Sequence, residues 1–211
     1  EILPRLTSRI EPLSLDEAYL DVTDSPLFQG SATLIAKEIR GMIQSELKLS
    51  ASAGIAPNKF LAKVASDWNK PNGQFVIEPR QIEKFVLKLP VEKIHGVGKV
   101  TAKKMHELGL RTCADLQRCS PEQLREHFGS HAEYYANAAR GIDERPVETH
   151  WERKSLSVEE TFPNDLGSLD ECLAALPHLY RDWEQRMSRG NYRERIRGHV
   201  VKLKFFDFKS T

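Results

Sequence analysis

The sequence predicts a multidomain α+β chain, and three observations predict it. Short apolar runs bounded by turn residues alternate with amphipathic helical stretches up to about residue 88. Short, capped helices then surround a Gly-Val-Gly turn, and a strand-helix-strand order with a basic end occupies 155–211. At about 100 to 200 residues per domain, the 211 residues hold one large domain or two to three small ones. A hydrophobic fraction of 40% is enough to bury a core. No stretch approaches the roughly 20 consecutive apolar residues of a membrane span, so no membrane partner is expected. The cysteines, Cys113, Cys119 and Cys172, are odd in number and lack metal-like spacing, which reads as packing residues in a reducing cytoplasm.

The first element is the apolar stretch from Ile10 to Val22, and it contains two adjacent carboxylates, Asp16 and Glu17. Charge in a half-buried strand needs a partner. Magnesium bound together with substrate phosphates is such a partner, because it takes only one or two carboxylates from protein. That points to phosphoryl transfer. Neighbouring strand residues face opposite ways, so the two carboxylates can share a metal only at a turn. The other reading leaves Glu17 solvated on an edge strand and Asp16 capping a turn. Ser31 to Leu49 follows as an amphipathic helix with Leu34, Ile35, Ile39, Met42, Ile43 and Leu47 on one face. Residues 52–59 read as a strand, a turn and a helix start with Asn58 as N-cap. The helix running to Asp67 carries Lys59 and Lys63, read as solvated charges. It must stop at Asn69-Lys70-Pro71-Asn72-Gly73, which leaves Lys70 free to reach outward. Gln74 to Ile77 gives a strand, and Arg80 to Leu87 a helix ending near Pro90.

From Pro90 the pattern is that of a helix-hairpin-helix. Gly96 and Gly98 permit a tight turn with outward N–H groups, and the next helix adds its N-terminal partial charge. A DNA phosphate fits there without base contact, with Lys99, Lys103 and Lys104 as nearby cations. A plain helix-helix connection is the alternative. Gly109 ends a helix, Thr112 caps the next, and Ser120-Pro121 is an N-cap followed by proline at the first helical position. Tyr134 and Tyr135 read as core. His95, His106, His127 and His131 have no metal-like companions in sequence. A charged linker runs from Gly141 to about Lys154.

The last segment reads as a strand over Ser155–Phe162, a helix over Ser168–Met187 and a basic strand over 199–208. The helix has Leu169, Cys172, Leu173, Leu176, Leu179, Tyr180 and Trp183 as apolar positions. In the final strand, alternation puts Val201, Leu203 and Phe205 on one face and Lys202 and Lys204 on the other, toward a phosphate backbone or simply toward solvent. Net charge is only +1, but seven Lys or Arg residues lie between Arg186 and Lys204 against the single acid Glu194. Such a patch favours a polyanion.

Three of these segments, Ile10-Glu11-Pro12-Leu13-Ser14-Leu15-Asp16-Glu17-Ala18-Tyr19-Leu20-Asp21, Ser52-Ala53-Gly54-Ile55-Ala56 and Lys70-Pro71-Asn72-Gly73, occur in an order that resembles the palm of Y-family translesion DNA polymerases, most closely the bacterial branch. The resemblance implies a partial α/β palm over 1–88, an all-helical helix-hairpin-helix thumb over 89–144, a linker over 145–154 and a partial β-α-β little-finger domain over 155–211. It implies an error-prone, template-directed polymerase using two Mg2+ ions. Asp16 would bridge both metals, Glu17 would hold the one that activates the primer hydroxyl, and Lys70 would touch the triphosphate. Gly96, Gly98, Lys99, Lys103, Lys202 and Lys204 would bind DNA. The implied partners are primer-template DNA, a dNTP and a sliding clamp, the last through a segment beyond Thr211, and the expected state is a cytoplasmic monomer. The family's palm has a further aspartate that nothing between Glu1 and Glu11 resembles, so the chain is expected to be an excised piece, inactive alone. The competing reading is a non-catalytic helix-hairpin-helix DNA-binding protein with a degenerate palm.

Overall fold

The computed structural model describes residues 2–150, 153–190 and 192–211. They form two compact units, 1–150 and 151–211. Two small sheets organise the start of the first unit. Strands β1 (Ile10–Pro12) and β2 (Ala18–Leu20) make an antiparallel hairpin with Ile10 opposite Leu20. Strands β3 (Ala53–Ile55) and β4 (Gln74–Val76) pair in parallel with Ala53 opposite Gln74. The parallel pair needs a crossover, and α2 (Lys59–Ser66) supplies it. Asn58 caps α2 as expected, its side chain accepting from the Leu61 N–H at 2.9 Å.

Helix α2 lies so close to β3 that only glycine fits at position 54. A Cβ there would strike the Ala62 carbonyl and the Ser66 amide. Because backbone rather than a mobile side chain stands in the way, Gly54→Ala should cost about 3 kcal/mol, the upper part of the range for overpacking. Urea unfolding of the variant checks this value.

Helix α1 (Ala32–Met42) is capped by Ser31 and runs into a π turn at Ile43–Leu47. Of the six apolar positions predicted to lie on one face, Ile35 is fully buried while Leu34 and Leu47 are exposed. The side of α1 facing β3 and β4 is covered, and Ile39, Met42 and Ile43 are half-buried. Arg40 links these elements, donating to Ala51 O, Gln74 Oε1 and the Asn72 carbonyl, and so fixes the turn before β4.

Helices α3 (Ile82–Leu87), α4 (Lys99–Glu107), α5 (Cys113–Arg118), α6 (Pro121–Phe128) and α7 (Ala132–Ala139) complete the unit. Ser120 caps α6 as its sequence predicts, while Thr112 stands at the N-cap of α5 with its N–H and hydroxyl both donating to Asp115 Oδ2. One continuous core runs from Phe60, Leu61 and Val64 through Val86 and Met105 to Leu116, Tyr135 and Ala138. The palm-like and thumb-like parts therefore share a single interior. Burial pushes the Cys113 thiol up to about 12, as suits a packing residue.

The segment after Gly141, read as a charged linker, is held down in its first half. Asn58 Nδ2 donates to Gly141 O at 2.8 Å, the buried Asp143 accepts from the Phe60 N–H at 2.9 Å, and Lys59 Nζ donates to Pro146 O at 3.0 Å. Trp151 and Glu152, farther along the same segment, lie outside the described residues.

The second unit is built on α8 (Leu169–Ser188), capped by Ser168 and continuous through Pro177. Of its predicted apolar positions Leu169, Leu173 and Tyr180 are exposed, whereas Met187 is fully buried. Trp183 Nε1 donates to Leu156 O at 3.3 Å, Arg186 donates to Ser157 O at 2.7 Å, and His199 packs edge-on against the Trp183 ring. Residues 155–157 and 199 thus lie along α8, but neither 155–162 nor 199–208 forms a strand. A strand exists only through a ladder, and among the described residues neither segment has one. Instead 203–211 folds back on itself, with Leu203 and Thr211 exchanging hydrogen bonds of 3.0 and 3.1 Å. The alternation predicted for Lys202 and Lys204 is lost with the strand. Leu203 and Phe205 are exposed, and Lys204 Nζ sits 4.8 Å from the Phe208 ring centroid.

Candidate active site and nucleic-acid interface

The acidic pair sits in the loop that joins β1 to β2. Glu17 O accepts from the Leu13 N–H at 2.8 Å and from the Ser14 N–H at 3.2 Å, which closes the loop and releases Asp16 and Glu17 from strand alternation. This is the turn that a shared cation requires. Asp16 is exposed, and its Oδ1 accepts from the Ser14 hydroxyl at 2.6 Å. Glu17 Oε1 accepts from Lys63 Nζ at 2.7 Å.

The lysines of α2 correct the expectation of solvated charges. Lys59 is 9% exposed, and its ammonium donates to both oxygens of Glu11 at 2.8 and 2.6 Å. It also lies 5.2 Å from the Tyr19 ring centroid. Lys63 is bound to Glu17 as described. Four residues apart, the two lysines share a face of α2 and grip the hairpin on either side of its loop. Burial would raise the Glu11 carboxyl, but hydrogen bonds from Lys59 and the Glu148 N–H, with the charges of Lys59 and Arg145, hold it below the usual range. Burial also raises the Tyr19 phenol to about 12.

Lys70 stands at the turn after α2, half exposed, bridged to Asp67 Oδ1 at 2.6 Å. The hydrogen bond to Asp67 is the main cause that lifts its ammonium above the usual range, and the negative charges of Glu17 and Asp16 add to it. The predicted carboxylates and the predicted phosphate-binding lysine therefore occupy one electrostatic neighbourhood. Sequence reasoning gave Ser14 and Lys63 no part in it. Ser14 offers the signal of a hydroxyl two residues before an aspartate, a pattern of local turns.

In the hairpin region Val91–Lys93 is a single 3-10 turn rather than a full helix, followed by Gly96 at φ 88° and then α4. Gly98, the N-cap of α4, offers no side-chain acceptor, so the first N–H groups of α4 have none from the cap. A Cβ at Gly96 or Gly98 would meet nothing within 4 Å, which leaves this turn open to solvent. Lys99 and Lys103 are exposed, the latter 3.8 Å from Glu107. Lys104 is not a free cation: it donates to His127 O and lies 5.5 Å from the Phe128 ring centroid. Tyr134 Oη donates to His95 O at 2.8 Å and so braces the turn from behind.

Three family models match the chain in succession: the impB/mucB/samB family over 1–67, the DNA polymerase-iota thumb domain over 92–143, and the impB/mucB/samB family C-terminal domain over 153–211. The chain belongs to the Y family of DNA polymerases. The three matches follow one another along the chain, with the thumb-domain match between the other two. Proteins named DNA polymerase IV from Shewanella pealeana, Ectopseudomonas mendocina and Legionella pneumophila are each 54% identical over 210 residues. The match takes in 100% of this chain and 59%, 60% and 59% of theirs, so the chain spans about three-fifths of the length of these relatives. Among solved structures, a Y-family DNA polymerase chimera of Dbh and Dpo4 has a TM-score of 0.85 at 28% identity, covering 100% of this chain and 60% of the chimera. An insertion ternary complex of Dbh DNA polymerase has a TM-score of 0.65 at 34% identity, covering 70% of this chain and 43% of its own. Among the described residues no helix is long and apolar enough to cross a membrane.

Proposed function

We propose that a protein of the relatives' length carrying this chain is a template-directed DNA polymerase of the translesion type, adding dNTPs to a primer 3′ end. The observation that carries this reading is the backbone-closed turn presenting Asp16 and Glu17 beside Lys70. The names of the similar proteins support it, and the ternary complex among the similar structures favours DNA and nucleotide as substrates. The donor chemistry suits magnesium, since two adjacent carboxylates with no third His, Cys, Asp or Glu grouped beside them among the described residues is its usual protein share when phosphates supply the rest. Asp16 and Glu17 would hold the ions, two in the complete enzyme. Bound there, they would stabilise the attacking and leaving oxygens of an in-line displacement. Lys70, by exchanging Asp67 for a phosphate, would bind the triphosphate as a point charge.

We assign 1–88 to the palm, 89–144 to the thumb, 145–154 to a linker and 155–211 to the little finger. The 211-residue chain alone is assigned duplex binding without chemistry. A cytoplasmic monomer that meets a sliding clamp completes the reading. Gly96, Gly98, Lys99 and Lys103 would seat a backbone phosphate at the start of α4, and Lys202 and Lys204 would add exposed cations from the basic stretch after α8. With Lys99 neutralising that phosphate and Lys103 its neighbour on the strand, the two contribute about 1.8 to the log-log salt slope of duplex binding. Lys99→Ala with Lys103→Ala should therefore flatten that slope by about this amount in fluorescence anisotropy, uniformly across sequences.

The function itself is tested by offering the relatives'-length protein a primer-template and each dNTP in turn. Incorporation of the complementary nucleotide in preference to the other three is expected. Duplex binding without any extension would establish instead a non-catalytic DNA-binding protein with a degenerate palm.

A further inference from the structure

The two carboxylates of the acidic turn are held differently. Asp16 takes a hydrogen bond from a neutral hydroxyl, that of Ser14, whereas Glu17 is paired to a full positive charge, Lys63 Nζ at 2.7 Å. The lysine is the better covered partner, its side chain 16% exposed against 37% for Glu17. The hairpin bearing the turn is a ladder of three residue pairs and is not part of the β3–β4 sheet. Its attachment to α2 runs through Lys59 to Glu11 on β1, Lys59 over the Tyr19 ring of β2, and Lys63 to Glu17 at the loop. Lys59 anchors the hairpin away from the acidic turn, and Lys63 acts on the turn itself.

We propose that Lys63 is a positioning residue whose ammonium holds Glu17 against α2 and serves as the resident counter-charge that a divalent cation must displace, so that Asp16 engages the cation first and Glu17 second. This rests on the assignment of Asp16 and Glu17 as the cation-binding pair. An ammonium in hydrogen-bond contact with one ligand oxygen opposes a second cation at that carboxylate. Removing its charge while keeping a hydrogen-bond donor should therefore strengthen cation binding.

The test titrates the 211-residue chain with Mn2+ and follows the free-ion signal by electron paramagnetic resonance, a readout independent of catalysis. Lys63→Gln retains an N–H donor for Glu17 and should tighten Mn2+ binding about fivefold, matching the upper end of the coupling in a partly exposed ion pair. Lys63→Arg should stay within about twofold of the unsubstituted chain, because it keeps the charge. Unchanged or weaker binding in Lys63→Gln, with the Asp16→Ala, Glu17→Ala double variant losing its binding, overturns the role of Lys63 and leaves the carboxylate assignment standing. Undiminished Mn2+ binding in the double variant overturns both. Circular dichroism of Lys63→Gln checks that its fold is intact. Should it unfold, Lys63→Arg decides: its failure to keep the native affinity sinks the proposal.

Discussion

Glu11→Ala should destabilise the first unit by about 3–5 kcal/mol, because it strands the nearly buried Lys59 ammonium without its carboxylate. The pair is not a surface salt bridge. Lys59 is 9% exposed, donates to both Glu11 oxygens, and has as its other neighbours the Pro146 carbonyl and the Tyr19 ring. Glu11 also accepts from the Glu148 N–H at 2.7 Å, so the substitution removes one of the anchors of the docked segment that follows α7. Replacing both partners by apolar groups, Glu11→Leu with Lys59→Met, should recover most of the loss, since what costs is the unpaired charge and not the missing attraction. Hydrogen exchange of the α2 amides, read against those of α6, measures both effects.

The same contacts predict an acid limit to this docking. Glu11 and Asp143 both titrate below their ordinary range in the folded chain. For Asp143 burial acts upward but is outweighed by the hydrogen bond and charge of Arg145 and by the Arg145 and Phe60 N–H groups. Lowered carboxylates stabilise fully above their unfolded values, and that stability disappears as the pH falls through the folded ones. Protection of residues 143–148 should therefore be constant near neutrality and decline below about pH 4, where carboxyls ordinarily take up protons.

What the sequence made legible is local. The caps at Asn58 and Ser120 and the contact of Thr112 with Asp115 each depend on residues within three positions, and all of them form. The turn at Asp16-Glu17 and the stop at Pro71-Asn72-Gly73 are also local decisions, whereas the hairpin's attachment to α2 is what brings the carboxylates toward Lys70. The missed features are long-range. Lys59 and Lys63 look like solvent charges on a helical wheel, and only the hairpin 46 to 48 residues earlier in the chain turns them into anchors. The docking of 141–148 onto the start of α2 likewise joins segments 83 or more residues apart. Strands fare worst, because alternation tells which face a residue would take and not whether a partner exists. Ser155–Phe162 and 199–208 alternate well and still form no ladder among the described residues.

The largest effect belongs to the acidic turn. Asp16 lies where the chain reverses between β1 and β2, is exposed, and is fixed by Ser14, so the carboxylate is both accessible and oriented. If it holds the catalytic cations, its loss removes several kcal/mol of charge stabilisation in the transition state, and about 4 kcal/mol corresponds to roughly a thousandfold in rate. Ser14→Ala removes one hydrogen bond from a neutral hydroxyl to the exposed Asp16 carboxylate, worth about 1.5 kcal/mol, and should slow the reaction by about tenfold. The deciding measurement is the single-turnover rate of nucleotide incorporation by the relatives'-length protein with saturating Mg2+, for the unsubstituted form, Ser14→Ala and Asp16→Ala. A graded loss, about tenfold for Ser14→Ala and about a thousandfold for Asp16→Ala, is the predicted result. An Asp16→Ala rate within about tenfold of the unsubstituted protein would contradict the assignment of this turn as the metal-binding centre.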